Sequence, residues 1–545
     1  MSSRLRPSAR KSLALLSTLM LVAAACGSDK KSSSTTATTA AATATTTAGS
    51  APAGSSPATG STPAAGSTAD TGSAPASTPA STPASTPAAG TGASTGTAGC
   101  PAIDSSIDAA EGLDAGRFLS DLACSDKTPL KAVGDPITVA LQNPEGDPNG
   151  SFPEASLAAQ AAVDYINNEL GGLGADIQNG KAGRPIKLEV CKMAISPDES
   201  QRCANELASK KPTVVMSPLN FFGNQFPIFA AGKIPVIVGT PITIADFTSP
   251  GAYSIGSGGG CLGAHTGLIY YATHQLKGKK IGIPWADTPP GVVCYYDLEA
   301  KPVDVLNGKV KSTSKEAGSI PDAQYLGVPI KPATPDVTAQ VTQLLDYKPD
   351  VIVYSGQGAD CWNLVAGLGR LGWTPEKIPL VLSGSCVDYD AAKAAGDLAK
   401  GIYFITGSGS VIDDPSKMTD VRQKAEATNY QTKSLQYGLG KDQFTKGYAT
   451  ITWGMYMSLW EMTSEIAVKG GTVDSDSIGA AYKATDNQHS YASTPLACDK
   501  APVPYVAICN ADVTVSQWNG TGLTQVADRF TAIDLVAGTE LKPGP

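Results

Sequence analysis

Three histidines, His265, His274 and His489, are all that 545 residues hold. No C-x-x-C pair accompanies them, so the spacing of ligands argues against a zinc site. No Walker-type phosphate loop and no nucleophile elbow appears. The histidines have no evident Ser or Cys partner in sequence, so catalysis is not expected. Beyond the first 25 residues no apolar run approaches the roughly 20 residues of a membrane span. A basic excess is missing too: 41 basic residues face 49 acidic ones, for a net charge of −8. That balance argues against nucleic acid and against an electrostatic role at a membrane surface.

What is present begins with a secretory signal. Arg4, Arg6, Arg10 and Lys11 precede an apolar run, Leu13 to Ala25, that ends in small residues directly before Cys26. The cysteine at the cut resembles the lipobox of bacterial lipoproteins, which implies that Cys26 becomes the lipidated N-terminus. Plain secretion is the alternative. Gly27 to Gly99 follows, built almost wholly of Ser, Thr, Ala, Gly and Pro with no aromatic. Such a segment cannot bury enough apolar surface to offset its chain entropy, and it reads as a disordered tether. Its Ser-Thr-Pro-Ala units, Ser77 to Ala89, favour extended conformations.

Ten cysteines remain after Cys26, an even number in five near-neighbour pairs, which reads as disulfides in an oxidising compartment. Sequential pairing gives Cys100–Cys124, Cys191–Cys203, Cys261–Cys294, Cys361–Cys386 and Cys498–Cys509. Residues 100–135 carry the first pair and a weak helical stripe, Ile107, Leu113, Phe118, Leu119 and Leu122. They read as a small disulfide-closed extension.

From Pro136 short β-branched runs alternate with helical spacing. Strands are expected at Ile137 to Leu141, Ile186 to Val190, Val214 to Met216, Val236 to Val238, Lys280 to Pro284, Val351 to Tyr354 and Pro379 to Leu382. Ser196-Pro197-Asp198-Glu199 has the form of a helix start. Alternation of this kind means parallel sheets covered by helices on both faces. Two series, before and after about Gly258, suggest two sheets, with Gly256-Ser257-Gly258-Gly259-Gly260 as a crossover. Met418 to Tyr437 and Gln443 to Lys469 read as helices. Val513 to Trp518 and Leu523 to Val526 flank a hairpin signal, Asn519-Gly520-Thr521-Gly522. The G-x-G-x-x-G matches at Gly367 and Gly258 lie in the wrong context for a phosphate turn.

The order and spacing of these segments resemble the leucine/isoleucine/valine-type periplasmic binding proteins. The residues that carry the resemblance are Ile137 to Leu141, Asn167 to Gly172, Cys191 to Leu207, Pro235 to Pro241 with Tyr253, Lys280 to Ile283 and Pro349 to Tyr354. The resemblance implies two doubly wound α/β lobes joined by three crossovers, near Gly256, Thr406 and Thr494. Lobe 1 would be 136–257 with 408–491, and lobe 2 would be 258–407 with 492–535, after a signal peptide (1–25), the tether (26–99) and the extension (100–135). It implies a monomeric, lipid-anchored, extracytoplasmic receptor that closes on a small solute and delivers it to the permease of an ABC importer. No cofactor, metal or nucleic acid enters.

Ligands of such sheets sit beyond the carboxyl ends of the strands. In lobe 1 those loops offer Gln142, Asn143, Ser217, Leu219, Asn220, Thr240, Pro241 and Ile242. In lobe 2 they offer Trp285, Asp287, Tyr354, Gln357 and Asp388. The usual ligand of the resembled family is a branched-chain amino acid, whose ammonium pairs with an acidic residue. Here that position is Cys386, so Asp287 or Asp388 must substitute, or the ligand is an amide or carboxylate instead. A sensor ectodomain and a secreted enzyme are the alternative readings of the whole.

Overall fold

The computed structural model describes residues 99–541, apart from 149, 408–410 and 502. The segments expected to be signal and tether, with Cys26, lie outside the described residues, up to residue 98. Two sheets organise the rest. The first is parallel, in the order β2-β1-β3-β4-β5, from β1 (Ile137–Pro144), β2 (Ile186–Met193), β3 (Val214–Leu219), β4 (Val236–Thr240) and β5 (Ala252–Ser254). The second runs β12-β11-β10-β9-β8-β6-β7. Its strands are β6 (Lys280–Ala286), β7 (Gln324–Ile330), β8 (Val351–Tyr354), β9 (Leu380–Ser383), β10 (Tyr403–Thr406), β11 (Asp512–Trp518) and β12 (Leu523–Thr531). Only β11 and β12 run antiparallel to their neighbours.

Period-two alternation explains why these runs are buried on both faces. In the first sheet Val139, Leu141, Val214, Met216 and Ile237 face one core, while Ala140, Val215, Val236 and Val238 face another. The second sheet repeats the pattern: Ile352, Leu380 and Leu382 point one way, Val351, Val353 and Val381 the other. The helix Gly447–Val468 is buried along nearly its whole length, mainly in the first lobe, with its start at the second lobe. Its Trp453 stacks on Tyr165 at 5.8 Å, and its Trp460 Nε1 donates to Leu170 O at 3.1 Å. Both indoles are essentially inaccessible. No helix among the described residues is long and apolar enough to cross a membrane.

Ser196 caps the helix Pro197–Ser209 as its sequence suggests, accepting from Glu199 N at 3.2 Å. The hairpin forms where Asn519 was expected to turn it, with Asn519 Oδ1 accepting from Thr521 N and Gly522 N. Three strands have no counterpart among the expected ones. β7 is an edge strand with partly exposed residues and a Gly and Pro within it, so no apolar run marks it. β5 has only three residues, whereas β10, Tyr-Phe-Ile-Thr, is as long as β8 and has an apolar run that the expected strands leave out. The helix expected from Met418 begins at Val421 and ends in a wider turn, Tyr430–Ser434.

The chain leaves the first sheet after β5 and returns from the second after β10. The last passage falls later than Thr494, because Ala507 O still accepts from Ser254 N and Cys509 N still donates to Ser254 O. The glycines of the first passage are packed rather than loose. Gly258, Gly259 and Gly260 have φ of 57°, 75° and 59°, and a Cβ on Gly260 would lie 2.1 Å from Pro241 O.

Four of the five expected bridges are formed: Cys100–Cys124, Cys191–Cys203, Cys361–Cys386 and Cys498–Cys509. Cys261 and Cys294 are corrected to free thiols. The extension is part of the first lobe. Its helix Ala115–Lys127 places Phe118 against His489, Tyr491 and Trp460, at 4.6, 5.7 and 6.1 Å between ring centres.

Candidate functional site

A cleft of about 170 Å³ opens where the carboxyl ends of β4, β6, β8, β9 and β10 meet the start of the helix Gly447–Val468 and the segment Ser490–Ser493. Cavities of about 150 Å³ hold a benzene ring, so the space suits one ring or one branched side chain. Its walls are apolar patches, among them Phe221, Ile242, Ile255, Tyr448, Ile451 and Met455, interrupted by hydroxyls.

Most of those hydroxyls are already engaged. Ser385 Oγ donates to Gly356 O at 2.8 Å, Thr288 Oγ1 accepts from Gly291 N at 3.1 Å, and Ser458 Oγ accepts from Tyr491 N at 3.0 Å. Thr240 is different. Its Oγ1 is buried and has no protein partner among the described residues. A buried hydroxyl left unpaired costs about 1–3 kcal/mol, which a ligand oxygen at this spot would recover.

Of the residues expected at the site, Thr240, Ile242 and Gln357 line the cleft. The others are placed elsewhere. Gln142 Nε2 donates to Ser200 O at 2.9 Å, and Asn143 Nδ2 donates to Phe152 O at 2.8 Å, both inside the lobe. Asn220 Nδ2 donates to Ser200 Oγ at 3.3 Å. Leu219 and Tyr354 are core, and Ser217 is buried off the cleft. Pro241 touches it only indirectly, its carbonyl accepting from Cys261 N at 2.8 Å. Trp285 stacks on Tyr295 at 5.0 Å. Asp287 is exposed, and Asp388 caps the helix Tyr389–Ala395 through Asp390 N and Ala391 N. Neither aspartate reaches the cleft wall.

One group there had no sequence signal. Cys261 and His265 stand four residues apart on the helix Gly260–Tyr270 and so share a face. Cys294 comes from the helix Pro289–Tyr295, and all three line the cleft. One ligand atom from each lies within 4.8 Å of the others. Glu299 Oε1 stands 2.7 Å from His265 Nδ1. Burial works against a charged His265, but the Cys261 and Glu299 charges outweigh it and push its pKa up. A hydrogen bond from Cys294, and then His265, draw the Cys261 thiol down to about 6, while burial pushes Cys294 up. The absence of C-x-x-C hid this cluster, because the fold rather than the spacing brings Cys294 to it.

Two doubly wound sheets facing a cleft at their carboxyl ends define a two-lobed solute-binding protein. Residues 136–439 match the family described as periplasmic binding protein, and the chain belongs to that family. These are extracytoplasmic binding proteins rather than enzymes. Solved structures share the fold. The branched-chain amino acid transporter of Thermus thermophilus with bound valine has a TM-score of 0.57 at 14% identity, over 74% of this chain and 98% of that one. A solute-binding protein of R. palustris in complex with 4-hydroxybenzoate gives 0.54 at 18%, over 73% and 97%. The leucine-binding protein LivK of Thermotoga maritima gives 0.52 at 13%, over 72% and 99%. No curated protein matches the sequence.

Proposed function

We propose that this chain is the solute receptor of an ABC importer and that its ligand is a small carboxylic acid with an apolar, ring-sized body. The observation that carries the ligand class is the lining of the cleft. Among the described residues it contains no Asp, Glu, Lys or Arg. A buried ammonium without an anionic partner is costly, and the two aspartates that would have served an amino acid lie off the wall. A carboxylate fits better, since hydroxyl and backbone N–H donors stabilise it, and the ionisable pair on the wall, Cys261 and His265, is spent on itself. Thr240 Oγ1 is a buried hydroxyl left unengaged among the described residues. The apolar walls suit the rest of the molecule, and structural neighbours bind 4-hydroxybenzoate as well as valine. A lipid anchor at Cys26, a monomeric state and delivery to a permease complete the proposal.

Thermal unfolding of the exported chain with 4-hydroxybenzoate, benzoate, leucine and valine tests the reading. A ligand at a hundredfold its Kd adds about 2.7 kcal/mol of stability. The aromatic acids should stabilise and the amino acids should not. Thr240→Val should weaken the response about tenfold, as expected for one hydrogen bond to a charged group. Stabilisation by leucine or valine alone would sink the carboxylate assignment.

A further inference from the structure

We propose that Cys261, His265 and Cys294 form a binding site for a thiophilic divalent metal, Zn²⁺ being the best match. The donor set is two thiols and an imidazole, the combination that suits zinc among available ions. The geometry is close to what the ion needs. With Zn–S near 2.3 Å, tetrahedral ligand atoms stand about 3.8 Å apart. The three atoms here lie within 4.8 Å of one another, so a rotamer adjustment closes the site. Cys261 and His265 approach from one helix face and Cys294 from the next helix, so three directions are already fixed.

The surroundings match as well. Metal-bound histidines usually hold a carboxylate at the second ring nitrogen, which sets the tautomer and strengthens the ligand. Glu299 Oε1 is 2.7 Å from His265 Nδ1 without hydrogen-bond alignment, and a small turn of the ring would align the two and free Nε2 for the metal. Glu299 is buried beside His265, where it can serve as the carboxylate partner of a metal-bound ring. A plain disulfide between the two cysteines gives it no purpose. The contrast within the chain is direct: the other four cysteine pairs are bridged, and the pair that is not bridged is the one with a histidine and a glutamate beside it. All three ligands line the cleft, which provides an entry path and leaves a fourth coordination position exchangeable. Only the deprotonated groups coordinate, so binding releases to solvent whatever protons Cys294, His265 and Cys261 still carry.

The inference goes beyond the ligand reading and is tested without it. The full exported chain carrying Cys26→Ser, so that only Cys261 and Cys294 can supply thiols, is prepared with Zn²⁺ present, freed of excess metal, and assayed for bound zinc and for thiols that react before and after chelation. The expected result is one zinc per chain, with two thiols that become reactive only after chelation. Replacing zinc by Co²⁺ should give the visible absorption of a tetrahedral thiolate site. His265→Gln should lower metal affinity at least tenfold, and Cys294→Ser should abolish tight binding, each with an unchanged far-ultraviolet circular dichroism spectrum. Glu299→Gln, which keeps the ring partner but removes its charge, should weaken binding by about ten- to a hundredfold. No reactive thiol and no zinc would mean a Cys261–Cys294 disulfide and would overturn the proposal. Two freely reactive thiols with no retained zinc would overturn it equally.

Discussion

Replacing His489 by glutamine should cost the first lobe about 3 kcal/mol at neutral pH. His489 is buried between two carboxylates, with Nε2 2.9 Å from Glu426 Oε1 and Nδ1 2.8 Å from Glu461 Oε1. Arg422 joins Glu426 at 2.8 Å and Glu111 of the extension at 2.9 Å. Asp108 and Asp114 lie nearby, while burial pushes Glu461 up to about 7 and Glu465 up to about 8, so Glu465 is largely protonated at neutral pH. Burial opposes the charge on the ring, but Glu461 and Glu426 outweigh it and raise the His489 pKa from 6.5 to about 9. At about 1.4 kcal/mol per pH unit that rise corresponds to about 3 kcal/mol. The figure agrees with the roughly 3–5 kcal/mol lost when one member of a buried ion pair is removed. The sign follows from the direction of the shift. The stabilisation is complete below pH 6.5, where both the folded and unfolded histidine are protonated, and it is lost as pH rises through about 9. Urea unfolding followed by tryptophan fluorescence at pH 7 and at pH 9.5 measures the gap between wild type and His489→Gln. It should be about 3 kcal/mol at pH 7 and should shrink at pH 9.5. A gap that is the same at both values, or below about 1 kcal/mol at pH 7, would refute the reasoning.

Two further outcomes follow from packing. Phe118→Ala should lower the urea midpoint by an amount equal to about 3–5 kcal/mol, because the ring sits on His489, Tyr491 and Trp460; an unchanged midpoint would show that the extension is a passive appendage. Gly260→Ala should prevent recovery of folded protein, since its Cβ would lie 2.1 Å from Pro241 O, whereas Gly251→Ala, also at positive φ but with nothing within 4 Å, should cost only about 1–2 kcal/mol. Equal losses in the two variants would show that backbone conformation alone, and not close approach, requires glycine at 260.

The sequence was most legible where burial is two-sided. Val351 to Tyr354 is a strand between the same bounds in sequence and structure, because every residue is apolar and every residue is buried. β7 was silent because an edge strand has no such run. The site was harder to read for a related reason. Strand-end residues such as Gln142 and Asn143 look like ligand donors, yet they are spent on neighbouring helices, and nothing in their local sequence distinguishes the two uses. Asp388 was ambiguous in the same way, and capping claims it. Thr240 was legible because it ends a strand whose run, Val236 to Val238, is unmistakable. Cys294 was assigned to a bridge by pairing order, and only the tertiary arrangement sets it beside a histidine.

Neither lobe is a continuous stretch of chain, and this governs how the protein can be made. Trp460 closes the first core on Leu170 from a position 290 residues further along. The outer strands of the second sheet, β11 and β12, arrive last of all. During synthesis the faces of β1 and β3 that await the helix Gly447–Val468 stay uncovered until most of the chain exists. Loop closure of that length is entropically expensive and slows folding. Half of this protein therefore has no native state of its own, and fragments ending before residue 447 should be insoluble or dependent on a chaperone.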